Sequence, residues 1–227
     1  MRAVVSVATG PRYCVMQDRL NQMLDPAEYR VFWREALPPD CPTNEDVPYG
    51  FKVWAIKRAV ELKAPMVLWL DSSIVPLRPL SSLWKLIEKQ GYWFSENLPQ
   101  GRLDLPCWNC GEWTCDSALG PLGITREEAF TIPQVIATAF GLDFRRQIAR
   151  DFFDEYLRLA VERTAFQGPW YNRDGSASAD PRVLGHRHDQ TVASVLAWRL
   201  GMKLTLPPAW IVDGQDPTQE TILSIQR

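Results

Sequence analysis

The sequence predicts an α/β protein, a central mixed and mostly parallel sheet flanked by helices, and three observations lead there. Between Ala3 and Phe94, segments patterned as strands alternate with segments patterned as helices, the arrangement of a sheet whose strands are joined by helical crossovers. Met66 to Leu70 is a short unbroken apolar run, as expected of a strand buried on both faces. The run stops at Asp71, two small hydroxyl residues follow, and Pro76 prevents a helix from continuing, so one carboxylate is delivered where the strand ends. In open α/β sheets ligands gather at the carboxyl ends of the strands.

The elements follow in order. Residues 3–8 are apolar and β-branched, end at Thr9-Gly10-Pro11, and lead into a helical pattern over 13–24, so strand, Gly-containing turn and helix open the chain as in nucleotide-binding units. Arg12 and Tyr13 stand at the mouth of that turn, where a cation can meet phosphate and a ring can stack on a base. Residues 29–33 form a second strand, and a Pro-rich loop follows. Over 51–62 the apolar residues recur at helical spacing, which puts Lys52 in a first turn. The helix dipole disfavours a cation there, so an anionic partner is expected. After the 66–70 strand come a helix over 80–89 and a strand over 91–94.

Residues 95–121 break the alternation as an irregular insertion rich in Cys and Trp. Cys107, Cys110 and Cys115 carry spacings that a structural zinc ion could use if the fold brought a fourth ligand, and a Trp-anchored loop is the alternative. Thr125 with Glu128 reads as a capping box. A β-like run covers 135–142, a long amphipathic helix 145–166, and a polar Gly/Ser-rich loop 167–181. The last helix opens on Gly185-His186-Arg187-His188-Asp189-Gln190-Thr191. Both histidines of the chain fall in this turn with Asp189 and Arg187, at a helix amino terminus that favours anions. The tail 207–210 reads as surface packing.

Composition narrows the function classes. A length of 227 residues, 46% hydrophobic and 23% charged, is that of an ordinary globular protein. A net charge of -2 leaves no footprint for nucleic acid or an anionic membrane, so nucleic acid is disfavoured as a partner. The first ten residues carry one basic residue and an apolar run too short for a signal peptide, and no segment approaches the roughly 20 apolar residues of a membrane span. A cytoplasmic protein is expected. Five cysteines, an odd number, then read as thiols or metal ligands more than as disulfides.

The stretches Tyr49-Gly50-Phe51-Lys52, Val67-Leu68-Trp69-Leu70-Asp71-Ser72-Ser73, Glu112-Trp113-Thr114 and Leu184-Gly185-His186-Arg187-His188-Asp189-Gln190 reach across most of the chain. In them the chain resembles the GT-A class of nucleotide-sugar glycosyltransferases, in particular a group of uncharacterised bacterial and phage proteins of that class. The resemblance implies one GT-A-like domain over 1–227, with 1–95 the nucleotide-binding half and 96–227 the acceptor and closing half. It implies a nucleotide-diphosphate sugar donor, a glycan or other hydroxyl acceptor, and a divalent metal, manganese or magnesium, bridging the diphosphate.

Asp71 matches the first aspartate of the class's Asp-x-Asp motif, and Ser73 stands where the second would be. The metal set implied is Asp71, Ser73, His186 and His188, an imidazole suiting manganese better than magnesium. Asp71 and Asp189 are the catalytic candidates, Asp189 as base if the enzyme inverts. Thr9, Gly10, Arg12, Tyr13, Lys52, Ser72 and Arg187 are the nucleotide-sugar-binding candidates. A sugar nucleotidyltransferase and a non-catalytic nucleotide-sugar-binding protein of the same fold are the alternatives, with sugar transfer to modified DNA a more exotic variant of the acceptor.

Overall fold

The computed structural model describes residues 1–98, 108–206, 210–213 and 216–226. Five strands make the central sheet: β1 (Arg2–Ala8), β2 (Tyr29–Arg34), β3 (Met66–Leu70), β5 (Tyr92–Trp93) and β6 (Ala139–Asp143), in the order β2-β1-β3-β6-β5. The first three run parallel, with Val4 paired to Arg30 on one side and to Leu68 on the other. β6 is antiparallel to both β3 and β5. The sheet is therefore mixed, as the alternation of elements predicts.

Every residue of β3 is buried, and its alternate side chains go to opposite faces. Val67 and Trp69 join the core beneath helices α2 (Phe51–Glu61), α6 (Gln147–Glu162) and α7 (His188–Arg199). Met66, Leu68 and Leu70 join a second core with Leu20 of α1 (Pro11–Met23) and Leu83, Trp84 and Ile87 of α3 (Ser81–Gln90). Helix α3 comes so close to β6 that a Cβ on Gly141 would lie 2.3 Å from Ile87 Cδ1.

A second sheet of three short strands lies outside the expectation. β4 (Ile74–Pro76) leaves the turn after Asp71, pairs antiparallel with β8 (Leu223–Ile225), and β8 pairs parallel with β7 (Ile211–Asp213). The backbone carbonyl of Trp210 accepts the N–H groups of both Ile222 and Leu223, and its side chain packs on the second core, so Trp210 is built in where a surface tail is expected. The rest of that tail, 207–209, is outside the described residues.

Three other segments differ from the pattern reading. The β-like run 135–142 is strand only from Ala139, the preceding residues being held by isolated bridges such as Glu96 to Val135. The expected helix 145–166 ends at Glu162, because Arg163 turns to φ 70° and a short 3-10 turn takes over. Within the expected irregular insertion, Asp116–Leu122 forms a short helix, α4, ended by Gly123 at φ 63°. Helix α5 (Arg126–Thr131) carries the capping box of Thr125 and Glu128 that the sequence predicts.

Candidate active site

The carboxyl ends of β1 and β3 lie side by side, because the two strands pair in parallel with Val5 beside Trp69. β1 hands the chain to Thr9 and Gly10. Gly10 has φ 88°, a conformation L side chains rarely adopt, and Pro11 then starts α1 with its fixed φ. Thr9, Gly10, Arg12 and Tyr13 are all exposed along this edge. β3 hands the chain to Asp71, whose N–H is fixed by Thr138 O at 2.8 Å.

Asp71 is held on one side only. Its Oδ1 accepts the Trp69 Nε1–H at 2.8 Å and lies 3.4 Å from Lys52 Nζ. Lys52, in the first turn of α2, is 2% exposed. Its ammonium also meets Asp189 Oδ2 at 2.7 Å and donates to Ala137 O at 2.9 Å. The ammonium is thus surrounded by one carbonyl acceptor and two carboxylate oxygens. The anionic partner expected for a cation at a helix start is there, and there are two of them.

Burial alone would discharge the ammonium, but the carboxylates of Asp189 and Asp71 overcome it and hold the Lys52 pKa above its ordinary value. Burial also lifts the pKa of both carboxyls. Lys52 opposes that shift at each, and the nearby negative charge of Asp189 adds to it at Asp71. One cation serves two carboxylates, so the second of them ionises reluctantly. Asp71 is the open member of the group, its side chain 24% exposed against 6% for Asp189.

The histidine pair sits beside this bridge, and its two rings are used differently. His186 is fully buried. Its Nδ1 accepts the Cys115 N–H at 3.4 Å and its Nε2–H donates to Ala165 O at 3.1 Å. Burial first, then His188, holds its pKa down at about 3. His188, 2% exposed, donates its Nδ1–H to Phe166 O at 2.9 Å. That fixes the tautomer and makes Nε2 an acceptor, which is buried without a hydrogen-bond partner among the described residues. Its backbone is at φ 46°, and that of Tyr49 at φ 61°, a strained state for a non-glycine residue. The Tyr49 ring lies 5.9 Å from the His188 ring and 5.4 Å from Lys52 Nζ, linking the two groups.

An aromatic rim continues outward from there. Trp170, exposed, stands edge-on to His188 at 5.0 Å and to Tyr49 at 5.8 Å. The Arg187 guanidinium is stacked between Trp113, at 3.7 Å, and Trp170, at 4.7 Å. The 167–181 loop carrying Trp170 is fastened by Asn172, which donates to Ser178 O and Val183 O and accepts from Ala177 N and Ser178 N.

Solved structures share this fold over nearly the whole chain. A glycosyltransferase involved in the glycosylation of the major capsid of PBCV-1 superposes with a TM-score of 0.54 at 12% identity, over 99% of this chain and 92% of that one. The fold is GT-A. Galactosyltransferase LgtC, solved in complex with donor and acceptor sugar analogues, matches at a TM-score of 0.50 and 11% identity over 100% of this chain and 87% of its own. Mouse xyloside xylosyltransferase 1 matches at 0.50 and 8%, over 99% and 96%. No protein-family model matches the sequence, and no curated protein does.

Within the GT-A fold, Asp71, Lys52, Asp189 and His188 come together, and the Thr9 to Tyr13 turn lies on the same sheet edge. Ser72 is buried, and Ser73, half-buried, presents its carbonyl to Gln226 N at 3.0 Å. His186 stands behind His188 with both ring nitrogens bonded inside the fold.

The four residues expected to hold a metal therefore do not make a ligand shell. Ser73 brings no carboxylate, His186 no open nitrogen, and Asp71 Oδ1 already faces a cation. Among the described residues no group of three or more His, Cys, Asp or Glu is placed to hold a metal ion. The zinc expectation fares no better. Cys107 lies outside the described residues, Cys110 and Cys115 are buried, and Cys115 Sγ is engaged with Gln167 O and Ser117 Oγ.

Sequence reasoning did not single out Trp69, Tyr49 and Trp170, which stand against the bridge and the rim beside it. A Trp two residues before the strand-end aspartate was the available signal for Trp69, since alternate strand residues share a face. The left-handed Tyr49 and the fastened loop around Trp170 have no signature in sequence.

Proposed function

We propose that this protein is a glycosyltransferase that moves a sugar from a nucleotide-diphosphate donor to the hydroxyl of an acceptor such as a glycan. The observation that carries the reading is the buried Asp71, Lys52, Asp189 bridge at the carboxyl ends of β1 and β3 of a GT-A fold. A bridge of this kind costs desolvation, and strained backbone at Tyr49 and His188 beside it is the companion expected of a working site more than of a packing core.

In the reaction, the bond between the anomeric carbon and the diphosphate oxygen breaks and its electron pair stays on the diphosphate. The acceptor oxygen bonds the same carbon and releases its proton to a base. Negative charge grows on the leaving diphosphate, and groups fixed to meet it lower the barrier. Arg12 and Arg187 are the cations proposed along the rim, and Thr9, Gly10, Ser72 and Tyr13 the nucleoside side. Residues 1–95 supply the donor side of the single domain and 96–227 the acceptor side.

Asp189, tied to Lys52, orients the bridge, and the lone pair of His188 Nε2 is a second group able to take a proton beside it. A divalent ion is the family's usual aid, but the donor set here does not enclose one, and no step is drawn through it. No described helix is long and apolar enough to cross a membrane.

The test is a thermal-shift panel of UDP- and GDP-sugars followed by donor hydrolysis, on the wild type and on Asp71→Asn. At least one donor is expected to stabilise the wild type and to be turned over, with both effects lost in the variant. Stabilisation without turnover would make the protein a nucleotide-sugar-binding module, and turnover that depends on pyrophosphate would make it a nucleotidyltransferase. If no nucleotide sugar has any effect, the reading is abandoned.

A further inference from the structure

We infer that the Lys52 ammonium is the resident cation of this site and stands where a divalent ion would otherwise be held, so that the donor binds without metal. The inference deepens the glycosyl-transfer reading and rests on it for the identity of the ligand. The cation claim itself concerns only groups described above.

Three observations carry it. The first is position. Two carboxylates that converge from different elements, Asp71 from the end of β3 and Asp189 from the start of α7, meet at one point, and that point is occupied by Lys52 Nζ at 3.4 and 2.7 Å. A hard divalent ion sits about 2.0–2.6 Å from its oxygen ligands. An ion using these same oxygens would have to share the space and the charge of an ammonium that the protein has already placed there.

The second is fixation. Lys52 is 2% exposed and its ammonium, besides facing the two carboxylates, donates to Ala137 O at 2.9 Å, so the side chain is fastened in the bridge and does not sweep through solvent. The third is the state of the other donors. Ser73 supplies no charge at the second motif position, and both His186 nitrogens are bonded to backbone groups. His188 Nε2 stays open and Asp71 keeps one oxygen clear of the bridge, but one imidazole with one carboxylate already paired to an ammonium is a poor holder for a hard divalent ion.

The three contacts of Lys52 also differ in a way that suits an incoming anion. The Asp71 contact is the longest, and Asp71 is the most exposed of the partners. If Lys52 exchanges that contact for a phosphate oxygen, Asp189 and Ala137 still hold the ammonium, and the Trp69 N–H still holds Asp71 Oδ1. Lys52 then touches the leaving group and is a catalytic residue, while Asp189 is a positioning residue that acts through it.

The experiment uses the full chain, stripped with EDTA and desalted. Mn²⁺ alone is titrated by EPR into the wild type, Lys52→Met, and Lys52→Met combined with Asp189→Asn. In parallel, UDP and GDP binding to the wild type is measured by calorimetry in EDTA and in Mn²⁺. The expected results are no saturable Mn²⁺ binding by the wild type and nucleotide binding that is the same in both buffers. Lys52→Met should gain a saturable Mn²⁺ site and thermal stabilisation by Mn²⁺, and the double variant should lose that gain. Saturable Mn²⁺ binding by the wild type, nucleotide binding abolished by EDTA, or a folded Lys52→Met that takes up no Mn²⁺ each overturns the inference. Should Lys52→Met not fold, the wild-type measurements decide alone. If neither nucleotide binds in any buffer, the donor reading fails while the Mn²⁺ titrations still judge the cation claim.

Discussion

Acid should destabilise this fold through His186, by an amount that follows from the ring's surroundings. The imidazole is fully buried, accepting from Cys115 N–H and donating to Ala165 O, and burial with the neighbouring His188 keeps its pKa at about 3 against 6.5 for the free side chain. Below pH 6.5 the unfolded chain therefore binds a proton that the folded chain refuses. Stability is complete above pH 6.5 and falls as the pH drops toward 3. One proton sets a limiting slope of about 1.4 kcal/mol per pH unit, so by about pH 4 the loss is roughly 3 kcal/mol. That is a large part of the roughly 5–15 kcal/mol that holds a typical domain folded.

His188, also held low by burial, adds to the loss. Asp71 and Asp189 act with the opposite sign. Their pKa values are raised by burial, so their contribution is complete below 3.8 and fades as the pH rises through their folded values. Urea unfolding followed by Trp fluorescence, from about pH 7.5 down to about pH 4, would measure the sum. His186→Gln keeps an N–H for Ala165 O but does not titrate, so the gap between variant and wild type should narrow steadily in acid. Parallel curves for the two proteins would refute the argument.

The remaining expectations concern the site itself. Lys52→Met, which leaves two carboxylates buried around a missing cation, should cost about 3–5 kcal/mol at neutral pH in denaturant unfolding, with part of the loss recovered by adding Asp189→Asn. Trp69→Phe removes one hydrogen bond to Asp71, so calorimetry should show weaker nucleotide binding while stability falls by only about 1 kcal/mol. Gly185→Ala would place a Cβ 2.0 Å from Trp170 O and force the rim loop outward, a loss of about 1–3 kcal/mol, with Trp170 fluorescence shifted toward the exposed state.

The central sheet was legible because its strands carry their own signal. The continuous apolar run of β3 and the Gly10-Pro11 break after β1 place both strand ends, and with them the edge where ligands gather. The second sheet was not legible. Its strands are three residues long, too short for a period to show, and β4 finds its partner about 150 positions away.

Within the site, Lys52 stood out through an unfavourable place on a helix dipole, and the density of titratable groups marked 185–191. What sequence could not supply was direction. His186 and His188, two positions apart, look interchangeable on paper, yet one ring is spent on backbone partners and the other keeps a free lone pair. The three carboxylate and ammonium groups were each flagged singly. That they close on one another depends on α2, β3 and α7 converging, which no local pattern encodes.

The pairing of β4 with β8 bears on when the site becomes complete. Asp71 sits at one end of a short turn whose other end is secured by Gln226 N on Ser73 O and by β8 alongside β4. During synthesis the main sheet can therefore gather while this turn is still unanchored, and it is steadied only after residues beyond position 220 emerge. Loss of that late strand, by proteolysis for instance, would strip Leu223 and Ile225 from the second core and leave the key aspartate loosely held, while the core on the other face of the sheet keeps its residues.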